Sequence, residues 1–270
     1  MVSRFRWPKL FLLLLLGVGF FLPLLWLLLT PFAAEPTLAV KLPSLSLKSF
    51  SEVWQNRTAV LAFKNSIILS LGAMALVLGF GSLAAYALSR SRFAGKDTLL
   101  YLLLLFSSIV TGVAAMVPIY ALNQKLLLID TLLGVILVFT AGFLPTAVFI
   151  LKDFVDGIPR AYEEAALVDG SSSLALFRYV AFPLARPGLA VIAVLTFVST
   201  WANFLVPFVL LRSSEKVPIA VAIYQFFTEV GIPRIGVISA YSLLYTAPVL
   251  AVYFWISRRY GFGFFGGLKG

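Results

Sequence analysis

Neither cysteine nor histidine occurs anywhere in this 270-residue chain. Disulfides, thiolate nucleophiles, imidazole acid–base chemistry and most zinc or haem sites are therefore excluded. Charge is scarce as well. Asp, Glu, Lys and Arg make up 12% of the residues, against about 25% in soluble domains. Apolar residues take their place, at 61% of the chain, and give a mean hydropathy of +1.02. Several uncharged runs reach about 20 residues, the length that crosses a hydrocarbon core of about 30 Å at about 1.5 Å per residue. The short alternating segments of a membrane β-barrel are missing. The composition specifies an all-α, polytopic membrane protein.

The pattern predicts six transmembrane helices, at residues 10–32, 65–89, 98–122, 131–151, 187–211 and 235–257. A signal peptide is the rival reading of the first. Its apolar region would be about 7–15 residues long, and this run is longer, so an uncleaved span is expected. Net charge is +10, and the basic residues sit between spans, which favours the positive-inside reading over nucleic-acid binding. With both termini inside, 13 of the 21 Lys and Arg residues fall on the inner side and 8 on the outer. The compact inner loop "SRSRFAGKD" is the clearest part of that bias. An N-in/C-in topology follows. Residues 1–64 then hold the first span and the first extracytoplasmic loop. Residues 65–270 form the transmembrane core, with a polar inner loop at 152–187. The outer segment "EKVPIAVAIYQFFTEVGIPR" reads either as an amphipathic helix at the membrane surface or dipping toward a cavity, or as a helix packed over the bundle.

No span as drawn contains an acidic or basic residue. Self-powered carriers usually need an ionisable group within the membrane, so this pattern weighs against one and suggests a solute that is neutral where it crosses. A phosphate-binding loop, Gly-rich and followed by Lys and Ser/Thr, is also absent. The tail letters "GFGFFG" match a dinucleotide fingerprint but lack the strand before and the helix after that the motif requires. "NRT" at Asn56 is a glycosylation sequon by spelling only. No catalytic constellation and no metal-ligand set can be assembled, which disfavours a membrane-embedded enzyme.

The inner loop carries the most specific pattern. Pro159 suits a helix start, and Glu163 and Glu164 fall in the first turn, where the helix dipole favours anions. Ala165 and Ala166 are strong helix formers without bulk. Ala161, Ala165 and Val168 share one face. Gly170 can take the left-handed conformation that ends a helix, and Ser172 or Ser173 can cap a second one carrying Leu174, Phe177 and Val180. Pro183 and Pro187 then redirect the chain. Two readings of this flat acidic helix stay open on physics alone: a docking site for another surface, or an ordinary solvated loop.

The stretch "EEAALVDGSSSLALFRYVAFPLARPG" resembles the cytoplasmic EAA loop of bacterial and archaeal ABC-importer permeases. The family pattern is Glu-Ala-Ala, three residues, Gly, nine residues, Ile, one residue, Leu-Pro. Here it reads Glu164-Ala165-Ala166, Gly170, Val180 and Phe182-Pro183, with Val and Phe as apolar departures. "NSIILSLGAMALVLGFGSLAAYALSRSRFAGK", "LKDFVDGIPRAYEEAALVDG" and the tail "GGLKG" look like the maltose-permease-like, carbohydrate-uptake branch. The resemblance implies the smaller, six-span partner of a permease heterodimer in a bacterial or archaeal cytoplasmic membrane. Two separate ATPase subunits would bind ATP and Mg, and an extracytoplasmic binding protein would deliver the solute. It implies an ATPase-coupling set of Glu163, Glu164, Ala165, Ala166, Asp169 and Gly170. Glu164 would pair with a basic groove residue, the alanines would permit close seating, and Gly170 would make the turn. Lys269 and Gly270 would reach toward the ATPase interface.

A sugar pathway favours aromatic faces with amides and hydroxyls. The candidate lining residues are Ser107, Ser108, Thr111, Tyr120 and Asn123 in the third span, with Ser199, Thr200, Trp201, Asn203 and Phe204 in the fifth. The family often has Trp-Asn-acid-Phe where this chain has Trp201-Ala202-Asn203-Phe204. Small polar residues also serve helix packing, and both roles stay open. The expected function is an ATP-driven importer permease for a neutral sugar or oligosaccharide. The alternative is an ion-coupled carrier or channel acting without an ATPase.

Overall fold

Leucine, valine and phenylalanine in unbroken runs favour helices, because in lipid each backbone N–H and C=O must find its partner inside its own segment. A computed structural model describes residues 6–34, 45–92, 94–110, 112–228 and 235–260. Among these residues every regular element is helical. In chain order they are α1 (Arg6–Leu29), α2 (Lys48–Gln55), α3 (Arg57–Arg90), α4 (Lys96–Val110), α5 (Met116–Lys125), α6 (Leu132–Asp156), α7 (Ala161–Val168), α8 (Ser173–Leu176), α9 (Phe182–Leu184), α10 (Arg186–Trp201), α11 (Leu205–Leu210), α12 (Ile219–Thr228) and α13 (Ile235–Tyr260). The tail motif 261–266, Lys269 and Gly270 lie outside the described residues, as does Thr111.

Four helices among the described residues are long and apolar enough to cross a membrane: Leu10–Phe32, Arg57–Arg90, Leu132–Asp156 and Ile235–Arg259. The chain bends just ahead of the fifth expected span, where Pro183 and Pro187 are expected to redirect it. Ser173–Leu184 and Arg186–Trp201 meet at a 75° bend, with Pro187 in the first turn beyond it. The helix then stops at Trp201 and restarts as α11. The third expected span is also divided. Gly112 has extended backbone (φ −80°, ψ 158°) and leads into a 3-10 turn, Val113–Ala115, before α5. At about 1.5 Å per residue, α4 is about 22 Å long and α5 about 15 Å, so neither crosses a bilayer alone. By contrast α3, at about 51 Å, exceeds the core thickness. It starts at Arg57 because the Asn56 side chain caps it, Oδ1 accepting from Ala59 N at 3.0 Å. That use of Asn56 accounts for the residue without glycosylation.

The chain divides into two compact units, Met1–Val60 with Ala222–Pro248, and Leu61–Val221 with Val249–Gly270. In the first, α1 presents leucine and phenylalanine on all sides, and none of its apolar window is buried within the chain. Its end is fixed by Thr30 Oγ1 donating to Trp26 O at 2.6 Å and by the Phe32 and Phe50 rings at 5.2 Å.

The second unit is organised around α6, which packs against α4, α10 and α11. Thr131 starts α6, its Oγ1 accepting from Gly134 N at 3.0 Å. Val77 and Ala85 of α3, Ala147 and Leu151 of α6, and Leu189 and Ile192 of α10 form one buried cluster. Lipid tails are as apolar as leucine, so helices here are held by close contact rather than by exclusion of water. Glycine supplies the closest approach. A Cβ on Gly188 of α10 would lie 2.6 Å from the Phe154 ring of α6.

Gly188→Ala is therefore expected to destabilise the bundle by about 1–3 kcal/mol through overpacking, read as a lower melting temperature of the solubilised protein. Gly79→Ala, where an added Cβ meets nothing within 4 Å, is the matched control and should leave the melt unchanged or raise it.

Candidate functional site

The segment joining α6 to α10 folds as the sequence pattern anticipates. Pro159 and Arg160 lead into α7, where Glu163 N and Glu164 N donate to Arg160 O at 2.9 Å. The helix ends on Gly170 with φ +79°. Gly170 N donates to Leu167 O at 3.0 Å and Ser171 N to Ala166 O at 3.0 Å. This pair of bonds satisfies the last carbonyls and requires a left-handed residue at the turn. A Cβ on Gly170 would meet nothing within 4 Å, so the requirement is one of backbone conformation alone. Ser172, not Ser173, caps α8, its Oγ accepting from Ala175 N at 3.3 Å. A π-helical turn, Phe177–Ala181, continues from α8 and sets the Phe177 ring 5.5 Å from Tyr86 of α3.

The two glutamates do not act as a pair. Glu163 is the buried residue of α7. Its carboxylate turns inward onto Arg90, the last residue of α3. Arg90 Nε donates to Glu163 Oε1 at 2.8 Å and Oε2 at 3.0 Å, and Nη2 donates to Oε1 at 2.5 Å. The side chains are 16% and 10% exposed. Arg90 Nη1 also donates to Ser89 Oγ at 3.0 Å and Nη2 to Ile158 O at 3.4 Å. Ser89 Oγ donates in turn to Asp156 Oδ1 at the end of α6, and Asp156 Oδ2 is 2.6 Å from Lys152 Nζ. Sequence reasoning counted Arg90 only toward topology. Nothing local signals a partner 73 residues away.

Glu164 faces outward. So do Ala161, Ala165, Asp169 and Gly170, with Ala166 half-buried. Leu167 is 53% and Val168 88% exposed. The result is a short helix held by one face, presenting an acid, small residues and two branched apolar side chains on the other.

The candidate lining residues separate into several roles. Trp201 is buried, stacked 5.7 Å from Phe197 and edge-on to Phe63 at 6.3 Å. Asn203 Oδ1 accepts from Val206 N at 3.0 Å and so starts α11. Asn123 is buried and donates from Nδ2 to Ile119 O of its own helix at 2.9 Å. These three serve packing and capping in this structure. Thr200 is also buried. Phe204 is partly exposed and stacks on Phe208 at 4.9 Å. Tyr120 is half-buried, with the Arg212 guanidinium over its ring at 5.6 Å. The side chains of Ser107 and Ser108 lie outside the described residues.

A second polar knot, unforeseen in the sequence, lies at the turn between α5 and α6. Asp130, with φ +58°, accepts at Oδ1 from Arg212 N and Ser213 N, both at 3.0 Å, and at Oδ2 from Ser213 Oγ and, at 3.0 Å, Lys216 Nζ. Asn65 Nδ2 donates to Glu215 O at 2.8 Å, and Ser66 Oγ accepts from Ile219 N at 2.9 Å. The first turn of α12 is thus anchored on α3, and Ile219 and Val221 are buried. Over 212–223 this favours the packed reading over a helix lying free at a surface; residues 229–234 lie outside the described residues. Partial burial of Asp130 works against ionisation. The hydrogen bonds from Ser213, Arg212 and Lys216 outweigh it and hold the carboxyl well below the usual carboxylate range.

Comparison with known proteins bears on the whole. The family model described as "Binding-protein-dependent transport system inner membrane component" matches residues 77–261, and the chain belongs to that family. It is 30% identical over 253 residues to the diacetylchitobiose uptake system permease protein NgcG of Streptomyces coelicolor, covering 92% of this chain and 83% of that one. To the maltodextrin transport system permease protein MdxG of Bacillus subtilis it is 28% identical, covering 84% and 82%. To the trehalose transport system permease protein SugB of Mycobacterium tuberculosis it is 30% identical, covering 90% of each. In fold it is similar to a chain in the crystal structure of a bacterial ABC transporter involved in the import of the acidic polysaccharide alginate, with TM-score 0.81, 23% identity, and coverage of 96% of this chain and 99% of that one. Membership of this family sets aside a carrier or channel acting without an ATPase.

Gly170→Ala is expected to cost about 1–2 kcal/mol by forcing an L-residue into the left-handed region, read as faster proteolytic nicking of the 160–172 loop. For Asp130 the sign is that of a depressed carboxylate. Its contribution is present above the unfolded value of about 3.9 and is lost as pH falls through the folded value. Asp130→Asn should lower the melting temperature by a constant amount from about pH 5 to 8, the gap closing only in stronger acid.

Proposed function

We propose that this chain forms half of the solute pathway of an ATP-driven importer for a neutral sugar or oligosaccharide. The observation that carries the reading is the presented face of α7. One glutamate ties the helix to the body of the protein, while Glu164, Ala165, Leu167 and Val168 stand free for a partner. An exposed acid beside small residues and two branched apolar side chains suits a docking surface. The docking partner is one of two ATPase subunits, which bind ATP and Mg. Glu164 pairs with a basic residue in its groove, the small alanines permit close approach, and the Gly170 turn keeps the helix short.

The chain takes six spans with both termini inside, α4 and α5 together making the third and α10 and α11 the fifth. Interrupted helices are tolerated at membrane depth where they are buried in protein or line a cavity. Both breaks therefore support a pathway beside Gly112 and 202–204. Phe204 and Tyr120 supply aromatic faces there. Ser107 and Thr111 stay in the lining set. Trp201, Asn203 and Asn123 shape the wall from behind. A second permease completes the pathway and an extracytoplasmic binding protein delivers solute to the end bearing the Asp130 knot. The absence of charge from the expected spans favours a neutral solute. The relatives named for diacetylchitobiose, maltodextrin and trehalose support a saccharide. The chain sits in a bacterial or archaeal cytoplasmic membrane.

The test is transport by the complex reconstituted in proteoliposomes with its binding protein. Wild type should accumulate saccharide only with ATP inside. Glu164→Lys should leave membrane insertion intact and reduce solute moved per ATP by about tenfold or more, within the range of ordinary coupling energies. Normal transport by Glu164→Lys would remove the docking assignment. Saturable ATP binding by the purified chain alone would overturn the division of labour.

A further inference from the structure

The Arg90–Glu163 pair stands apart from the docking face and has no part in it. We propose that this pair is a clamp that makes α7 move as one body with the ends of α3 and α6, so that displacement of the coupling helix reaches the spans undiminished. The inference rests on the transport reading above and assigns Arg90 and Glu163 as positioning residues for it.

Three observations carry it. The first is geometry. Nε and Nη2 of one guanidinium engage both oxygens of one carboxylate, and a forked contact resists rotation that a single hydrogen bond would allow. The second is connectivity. Arg90 also holds Ser89 and the Ile158 carbonyl, and Ser89 holds Asp156, itself paired with Lys152. One arginine thus gathers the last turn of α3, the last turn of α6 and the first turn of α7. The third is how little else holds α7: besides the guanidinium, the Glu163 carboxylate accepts from Tyr86 Oη of α3, at a longer 3.4 Å. Glu163 is the buried residue of α7, and an eight-residue helix is marginal without tertiary support. If the clamp opens, α7 keeps the long Tyr86 contact, its 157–160 connection to α6 and the Gly170 turn to α8. A push on its outer face would then be absorbed by those short connections.

A merely structural role predicts something different from a clamp. Replacing a buried ion pair with apolar side chains of similar length commonly preserves folding. Such a pair keeps the packing and loses the directional lock.

The chain has no native cysteine, so spin labels at Arg92→Cys and Tyr162→Cys report the distance between the end of α3 and α7 without background. In the complete complex this distance should show one narrow population, unchanged by ATP with Mg. In Glu163→Gln a second, longer population should appear, and solute moved per ATP should fall about tenfold while ATP hydrolysis persists. Arg90→Met combined with Glu163→Met should restore assembly of the complex but not the transport ratio or the single distance. Arg90→Lys keeps the charge without the fork and should show the same broadening. The clamp is overturned if Glu163→Gln or Arg90→Lys keeps the single distance. It is equally overturned if the double methionine variant recovers wild-type transport per ATP, because the pair would then be filler. A wild-type complex that hydrolyses ATP without moving saccharide would sink the transport reading, and the label distances would still judge the clamp.

Discussion

Lipid offers a polypeptide no hydrogen bonds, and nearly everything in this structure follows from that. Each long segment satisfies its own backbone as a helix. Where a helix begins, its first N–H groups need partners, and at four starts a side chain supplies one: Asn56 for α3, Thr131 for α6, Ser172 for α8, Asn203 for α11. Lipid also gives helices no apolar reason to leave it for one another. The contacts that hold α3, α6 and α10 together are accordingly small and close, with Ala85, Ala147 and Gly188 where larger residues would stand in a soluble core.

How much of this is legible in the sequence depends on the range of the interaction. The inner loop reads almost residue by residue, because helix starts, glycine turns and serine caps are settled within four or five positions. Gly170 is where those rules put it, and Ser172 is one of the two caps they allow. Span existence is equally plain, since it is a matter of composition. Span continuity is less so. The 98–122 and 187–211 windows are apolar enough throughout, yet one is interrupted at Gly112 and the other after Trp201. An apolar window carries no information about where a neighbouring helix lets the backbone turn. Least legible are the long-range polar partners. Arg90 with Glu163, and Asp130 with Ser213 and Lys216, join positions some 70 to 86 residues apart. A charge at the end of a span looks the same whether it faces water or a buried carboxylate.

The adjacent glutamates show what that distinction is worth. By sequence they are equivalent, two acids in the first turn of one helix. One step along a helix turns a side chain by about 100°, and here that step separates an internal ion pair from an exposed contact. Family resemblance assigned both to coupling. The geometry divides them into a residue that holds the helix and a residue that the helix offers.

The length of α3 has a consequence in time. Near its start, Asn65 and Ser66 hold the 215–219 segment; at its end, Arg90 holds α7. One uninterrupted helix therefore carries both grips, about 38 Å apart at the standard rise. A displacement imposed on one grip reaches the other without breaking any backbone hydrogen bond between them. Such a motion belongs with rigid-body shifts on the microsecond-to-millisecond scale rather than with slower local unfolding.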